Sequence, residues 1–380
     1  MNRTSVILII IIAALSAVLG TMVYNSFIKE KSPSEIFREE ASGVVLVLNE
    51  YYYTATLPNG RVIYFSGMDE DGDMKDLTFE YDNLKKTQGF GTAFFVDGNG
   101  TMLTNRHVVD PYIKKEDVTT CVAALIDGVA ILVEEAQYAM SSEYDQLQQR
   151  IDANKELVWD SFWMQYRVTE SPENNYLRQQ QEQLRIEYAN AEETLRELRR
   201  IDVNRINIES HCEVSIAYND TYVTRPEDFK PCIVKRVSKD EDVDLALICL
   251  KDKRTPANTY IFHTPKNENN VFGPKQKDRE KLELNQPLIL IGYNHGVQLA
   301  ATSEGIKAQL TTGNVTQEPD DERVMYSIPL LQGSSGSPVV NAYGELVAVN
   351  FAGVLNSQSF NFGVPLNRIN EFLKQGDYAH

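Results

Sequence analysis

Gly333-Ser334-Ser335-Gly336-Ser337-Pro338 is the stretch of sequence that decides the fold. It separates the apolar run 327–331 from the strand-like Pro338-Val339-Val340. A turn of small residues lets backbone N–H groups converge on one spot and presents a single hydroxyl beside them. A serine nucleophile with an oxyanion hole requires that arrangement. Gly/Ser turns between strands usually indicate only a turn, so the interpretation depends on residues upstream.

The segment Leu103-Thr104-Asn105-Arg106-His107-Val108-Val109 supplies a candidate general base. It follows residues 91–100, in which apolar β-formers run into an Asp-Gly-Asn-Gly turn typical of a hairpin. His107 is therefore predicted at the end of a strand, where its imidazole can reach a cleft. The chain has five histidines, which narrows the choice, although an isolated histidine is more often a surface or satisfied imidazole.

A candidate partner for that base opens the apolar segment Asp244-Leu245-Ala246-Leu247-Ile248. Asp244 directly precedes the apolar residues and is expected to be drawn into the interior. A carboxylate there is costly unless it accepts hydrogen bonds. Accepting one from the Nδ1–H of His107 would satisfy Asp244, fix the imidazole tautomer and stabilise the imidazolium.

These three blocks resemble trypsin-like serine proteases of the chymotrypsin fold, in particular the Deg-type branch of bacterial envelopes. The matching motifs are Thr-Asn-x-His-Val-Val, Asp-Leu-Ala-Leu and Gly-x-Ser-Gly-x-Pro, in the His, Asp, Ser order of chymotrypsin. The resemblance implies a mainly β fold, a chymotrypsin-like double β-barrel. It also implies that His107 is the general base, that Asp244 orients it, and that Ser335 is the nucleophile. The N–H groups of Gly333 and Ser335 would form the oxyanion hole.

The chain departs from this family pattern on both sides of the nucleophile. Ser334 stands where Asp or Asn is often seen, and Ser337 replaces the second Gly after the nucleophile. Neither change removes a reacting group. By position in the family, the substrate pocket is expected to involve four uncharged residues, which favours a small or apolar P1 side chain: Pro329, Asn350, Phe351 and Ala352.

A helical insertion is predicted between His107 and Asp244, because their separation of 137 residues is too long for an undecorated domain of this kind. From about Glu134 to Ile201 the sequence is almost free of Gly. Leu residues and other apolar side chains recur at 3- and 4-residue steps. We expect two helices, with Val158 and Phe162 on the first and a turn at 169–175, forming an antiparallel coiled-coil hairpin about 40 Å long.

Two functions of this insertion are open. It could lie flat on the barrel as a packed α-hairpin, or it could be an arm that docks a partner, a second protomer or a substrate. Three aromatic residues near its tip favour a contact surface: Trp159, Trp163 and Tyr166.

The N-terminus predicts a membrane anchor, because Ser5 to Tyr24 is uncharged and about 20 apolar residues span a bilayer. A signal peptide cleaved near Ala14-Leu15-Ser16 is the alternative. The charges flanking the span do not decide its orientation. We expect the protease domain outside the cytoplasm, in the periplasm, because the proteins it resembles work there. We also expect no PDZ domain, since the chain ends soon after Val364-Pro365.

Composition limits the partners and cofactors. The net charge of −17 argues against a nucleic-acid partner. The acidic run Asp69–Asp73 has its Gly at the wrong position for a calcium loop. No Cys-x-x-Cys or Cys/His cluster suggests a metal, and we expect no cofactor. The four cysteines could pair as 232–249 and 121–212 or remain buried free thiols.

The sequence thus predicts four segments. Residues 1–28 form the anchor or signal, 33–132 and 205–380 the two parts of the protease domain, and 133–204 the helical hairpin. The predicted function is a membrane-anchored serine endopeptidase for envelope protein processing or quality control. The alternatives are a latent or inactive protease-fold scaffold that binds partners through its arm, and an esterase with the same acyl chemistry.

Overall fold

The computed structural model describes residues 29–240, 242–263, 282–353 and 361–375, together with Ser16. Apart from Ser16, the span predicted at Ser5–Tyr24 lies outside these residues. Within the described ranges there is no helix long and apolar enough to cross a membrane. The chain divides into two compact units. The first comprises the described parts of Met1–Tyr52, Lys86–Tyr112 and Ser210–His380, and the second comprises Tyr53–Lys85 and Ile113–Glu209.

The helices are α1 (Pro33–Glu40), α2 (Arg106–Val109), α3 (Lys115–Ala153), α4 (Glu173–Arg199), α5 (Val297–Ala300) and α6 (Leu366–Lys374). The strands up to residue 220 are β1 (Val44–Thr56), β2 (Val62–Phe65), β3 (Gly67–Met68), β4 (Met74–Lys75), β5 (Thr87–Phe95), β6 (Thr101–Thr104), β7 (Lys155–Asp160), β8 (Gln165–Glu170) and β9 (Asn207–Tyr218). The later strands are β10 (Lys230–Val237), β11 (Ala246–Leu250), β12 (Pro287–Gly292), β13 (Ala301–Thr302), β14 (Gly305–Ile306), β15 (Gln309–Asn314), β16 (Val324–Tyr326), β17 (Pro338–Val340), β18 (Leu346–Gly353) and β19 (Asn361–Pro365).

A closed barrel forms the N-terminal half of the first unit. Its strand order is β1-β5-β6-β11-β10-β9, and β9 pairs back with β1. Alternate residues of β1 belong to different apolar clusters, since Val45 and Val47 pack in one and Leu46 and Leu48 in the other. Successive side chains of a strand point to opposite faces. This part of β1 is therefore buried on both faces of the barrel wall.

A second sheet of six strands, in the order β15-β12-β17-β18-β19-β16, forms the rest of the first unit. Its edge strands meet at a bridge between Val315 and Tyr326. Ile289 and Ile291 of this sheet pack in the same cluster as Leu46 of the barrel. A closed barrel beside a partly closed one fits the chymotrypsin-like double barrel, and the mainly β fold predicted from the sequence is confirmed.

Two long helices dominate the second unit. Arg199 pairs with Glu134 at one end, with Nη2 and Oε1 2.7 Å apart, and Arg150 pairs with Glu173 at the other, so α3 and α4 run antiparallel. Their shared core is Leu147, Ile151 and Leu177. The helical segment begins at Lys115, earlier than residue 133, where the sequence placed its start. The coiled-coil character of the pair stays a prediction.

The connection between the two helices differs from the predicted turn. Residues Lys155–Glu170 form a β-hairpin from β7 and β8, so placing Val158 and Phe162 on the first helix was wrong. The physical reason lies in the residue types, because five residues of the two strands are β-branched or aromatic and favour a strand: Val158, Trp159, Tyr166, Val168 and Thr169. Asp160 then closes the turn by accepting from the backbone N–H groups that follow it.

All four cysteines are free thiols, so neither of the two pairs considered from the sequence forms, but only Cys249 is buried. In the pairing of β10 with β11, Cys232 lies opposite Leu250 and Cys249 lies opposite Ile233. The two thiols are thus offset by one residue and point to opposite faces of the sheet. Cys121 donates to the carbonyl of Gly72 at 2.9 Å.

Candidate active site

The first element of the site is a histidine–carboxylate pair at the end of two neighbouring strands. β6 and β11 are antiparallel partners, with Thr104 opposite Ala246. His107 lies in the single helical turn α2 directly after β6, and Asp244 lies just before β11. The register therefore brings the two side chains together, although 137 residues separate them in the chain.

Asp244 holds His107 at two points. Its Oδ2 lies 2.6 Å from Nδ1 of the imidazole, and its Oδ1 accepts from the backbone N–H of His107 at 3.0 Å. The buried amide of Asn105 donates to the Asp244 carbonyl at 2.7 Å and fixes the backbone on the carboxylate side. With Nδ1 engaged, Nε2 is the ring nitrogen left for proton transfer, and the half-exposed imidazole is accessible to a substrate.

The second element is the loop Gly333–Ser337, which contains the predicted nucleophile. Gly333 has φ +99° and Gly336 has φ +86°, in the left-handed region that favours glycine. A Cβ on Gly333 would lie 2.5 Å from the Tyr293 carbonyl oxygen, and one on Gly336 would lie 2.1 Å from that of Thr92. Both positions therefore require glycine, for conformation and for space.

Thr92 of β5 ties this loop to the barrel. Its hydroxyl donates to the Gly333 carbonyl at 2.9 Å, and its backbone N–H donates to the Ser335 carbonyl at 2.8 Å. Its own carbonyl accepts from the hydroxyl of Thr104 at 2.7 Å, three residues before His107. Thr92 thus links the loop that carries Ser335 to the strand that leads to the candidate base.

Asn350 of β18 fixes the loop from the other side. Its Nδ2 donates to the Ser334 carbonyl at 2.9 Å, and its Oδ1 lies 2.7 Å from the hydroxyl of Tyr326. Its backbone carbonyl accepts from Gly336 N–H at 2.8 Å. The Asn350 side chain is almost fully buried. Its amide is occupied in holding the loop, whereas the sequence placed Asn350 in the substrate pocket.

Ser335 itself is half-buried, and its hydroxyl makes no hydrogen bond to His107 among the described residues. The backbone N–H groups of Gly333 and Ser335 donate to no acceptor in the described part of the chain, whereas Ser334, Gly336 and Ser337 donate within it. The two N–H groups predicted for the oxyanion hole are thus the ones left available for a ligand. Catalytic hydrogen bonds often tighten only when substrate binds.

The remaining pocket residues lie around the end of β18. Phe351 is half-buried and its ring lies 6.3 Å from that of Phe362. Ala352 follows it in the same strand. Asn361 pairs with the end of β18 and donates to the Ile328 carbonyl at 2.6 Å, which brings the exposed Pro329 beside this strand end.

Sequence reasoning missed Thr92, Thr104 and the loop-holding role of Asn350. The available signal for Thr92 was a hydroxyl inside an apolar strand, between Gly91 and Ala93. Such a residue needs a hydrogen-bond partner when buried. The partner here is more than 200 residues away in the chain, so the strand alone could not identify it.

One comparison with known proteins agrees with the resemblance found in the sequence. Residues 209–349 match the family model of the trypsin-like peptidase domain, a range that includes Asp244 and Ser335 but not His107. This match confirms the resemblance to trypsin-like serine proteases. No curated protein matches the chain. The crystal structure of the serine endoprotease from Yersinia pestis is similar with a TM-score of 0.40 and 12% identity, over 91% of this chain and 67% of that chain.

Proposed function

We propose that the trypsin-like peptidase domain of this chain is a serine endopeptidase that uses His107, Asp244 and Ser335. One observation carries the proposal: the carboxylate of Asp244 holds both the Nδ1 and the backbone N–H of His107. A surface histidine has no need of a carboxylate that fixes both its ring and its backbone. A general base whose tautomer must be set before reaction does need one.

In the proposed reaction each of these residues has one role. His107 Nε2 removes the proton from Ser335 Oγ while Oγ forms a bond to the scissile carbonyl carbon. The N–H groups of Gly333 and Ser335 donate to the oxygen that becomes negative. The protonated His107 then gives its proton to the leaving amine, and the C–N bond breaks. Water, deprotonated by His107, releases the acyl group and restores the Ser335 hydroxyl.

The finer parts of the function rest on the sequence. A small or apolar P1 side chain follows from the absence of charge at the predicted pocket positions. Anchoring through Ser5–Tyr24 and work in a bacterial envelope stay predictions. The missing hydrogen bond between Ser335 Oγ and His107 favours one second candidate, a latent protease fold that becomes active when a ligand orders the site.

Labelling of the purified protein with a fluorophosphonate probe tests the proposal, because the probe reacts with an activated serine. We expect labelling of the wild type and none in Ser335→Ala or His107→Ala. Ser337→Ala is the matched control. Its hydroxyl is buried two residues from the nucleophile and has no hydrogen-bond partner in the described ranges, so labelling should persist.

Turnover of a peptide substrate completes the test. Asp244→Asn should lower kcat by on the order of 10⁴-fold, because the amide fixes the wrong imidazole tautomer. A well-folded wild type that is neither labelled nor active would contradict a constitutive enzyme and favour the latent one. Labelling with ester turnover but no peptide turnover would replace the endopeptidase by an esterase.

A further inference from the structure

The hairpin Lys155–Glu170 of the second unit has one apolar and one polar face. In its register Leu157 lies opposite Val168, and Trp159 lies opposite Tyr166. These four side chains share one face of the two-stranded ribbon, and all four are exposed. The aromatic pair contacts edge to face, with ring centroids 5.2 Å apart.

The opposite face and the base carry charged and polar side chains, with Val158 as the one apolar residue among them. The pairs on that face are Glu156–Thr169, Val158–Arg167 and Asp160–Gln165. Lys155 and Glu170 form the pair nearest the helices, and Glu170 also forms an ion pair with Arg178. The one charged pair on the apolar face, Lys155–Glu170, thus lies at its base, so the outer part of that face can enter a nonpolar phase without a charged residue.

The tip of the hairpin, Phe162-Trp163-Met164, extends this apolar surface beyond the strands. Phe162 is 83% exposed, Trp163 68% and Met164 79%. No residue from Ser161 to Tyr166 is charged. The backbone N–H groups of Phe162 and Trp163 are satisfied by Asp160 at 3.0 and 3.2 Å, so the turn does not depend on water for these bonds.

We propose that this hairpin inserts its tip and apolar face into the interfacial layer of a lipid bilayer with uncharged headgroups. Trp, Tyr and Phe are the side chains that settle at membrane–water interfaces. A patch of exposed aromatic side chains on a soluble surface marks a contact site. The hairpin carries two cations and three anions, so headgroup charge contributes little to its binding.

A bilayer fits the shape of this surface better than a second copy of the chain does. Two hairpins stacked face to face would cover Trp159 and Tyr166 but leave the tip residues in water. A fluid apolar phase covers a protruding tip and the adjoining face without a matching surface. The apolar segment Ser5–Tyr24 of the same chain also predicts a position at a membrane. The inference does not depend on the proposed protease activity.

Tryptophan fluorescence of the full chain isolates this hairpin, because both tryptophans of the chain, Trp159 and Trp163, lie in it. Emission therefore reports the hairpin even where another segment holds the chain on a vesicle. With phosphatidylcholine vesicles we expect a blue shift, quenching by bromine atoms on the lipid tails, and protection from aqueous iodide. Adding anionic lipid should not strengthen these effects, given the net charge of −17.

The double variant Phe162→Ser/Met164→Ser keeps both tryptophans and should reduce hairpin insertion at least about tenfold, since each side chain loses its apolar burial. Tyr138→Ser is the matched control, an equally exposed residue on α3, and should change nothing. Unchanged emission with full access to iodide would overturn the proposal. A blue shift that appears without vesicles and grows with protein concentration would also overturn it, because it would indicate that a second copy of the chain covers the hairpin. A requirement for anionic lipid would also overturn it.

Discussion

The nucleophile loop 333–337 and the hairpin 155–170 both depart from the usual distribution of side chains between interior and solvent. The loop buries polar side chains, and the hairpin exposes apolar ones. Ser334 and Ser337 are polar residues almost completely removed from solvent, whereas Phe162 and Met164 are apolar residues almost completely in it. An exposed apolar residue or a buried polar one taken singly is common. A cluster of either kind is the informative feature of a protein surface or core.

The two departures are stabilised in different ways. In the loop, the carbonyls of Gly333, Ser334 and Ser335 accept hydrogen bonds from Thr92 and Asn350, so the cost of removing these groups from water is offset within the fold. The Ser337 hydroxyl is the exception, since it has no partner in the described ranges. In the hairpin no such compensation exists for the apolar tip, and only an external phase can supply it. The first arrangement supports the proposed reaction, and the second supports the proposed contact with lipid.

The largest expected effect concerns Glu40, a buried carboxyl group outside the nucleophile loop. It shows how a buried polar group affects stability where it has no part in the proposed reaction. It ends α1, is 1% exposed, and its Oε2 has no hydrogen-bond partner in the described ranges. The pKa of Glu40 is raised to about 8, mainly by burial and also by the neighbouring Glu39, against the opposing effects of Lys31 and of a hydrogen bond with Tyr260. Between pH 4.5 and 8 the folded chain holds a proton that the unfolded chain has lost.

The free energy of unfolding should therefore fall as pH rises through that window, by on the order of 4 kcal/mol from this group. Glu40→Gln cannot lose a proton and should remove that part of the slope. Urea unfolding at pH 5, 6.5 and 8 measures the difference between the two curves. Curves that stay parallel would show that Glu40 is ionised in the folded chain.

Local sequence patterns predicted much of the fold but only part of the candidate site. The strands after Asn99 and Asp244 and before Asn341 were readable because apolar β-formers abut turn residues there. The hairpin was missed because Val158 and Phe162 happen to continue a helical spacing.

The contacts of the nucleophile loop have a different cause. Thr92 and Asn350 reach it from strands distant in sequence, and which strands become neighbours is decided by the whole barrel. The sequence of a single segment therefore cannot predict which strands pair. The same limit explains why the bond from the Asn350 amide to Ser334 was not foreseen, whereas the place of Asn350 in the substrate pocket stays a prediction.

Asn350→Ala gives the next largest effect, on the loop side of the comparison. It leaves the Ser334 carbonyl and the Tyr326 hydroxyl with one partner fewer in the interior, which should cost about 2–4 kcal/mol of stability. Because Ser334 lies between the two proposed oxyanion donors, kcat should also fall by about 10- to 100-fold with a smaller change in KM.

Asn361→Ala is the control for that prediction. Asn361 is equally buried and donates to the Ile328 carbonyl, away from the loop. It should destabilise the fold to a similar extent and change KM through the neighbouring Pro329, while kcat, measured well below the unfolding transition, changes little. Equal loss of kcat in the two variants would reduce Asn350 to a purely structural role.

The smallest expected effect is on the hairpin side. Phe162→Ser and Met164→Ser should change the free energy of unfolding by less than about 0.5 kcal/mol, because these side chains are already in water in the folded chain. Phe95→Ala in the barrel interior should instead cost about 3–5 kcal/mol. Urea unfolding followed by circular dichroism measures all three. A loss above about 1 kcal/mol in either tip variant would mean that the tip is buried within the folded chain. An unchanged stability together with lost lipid insertion would mean that these residues were retained for a surface that lies outside the protein.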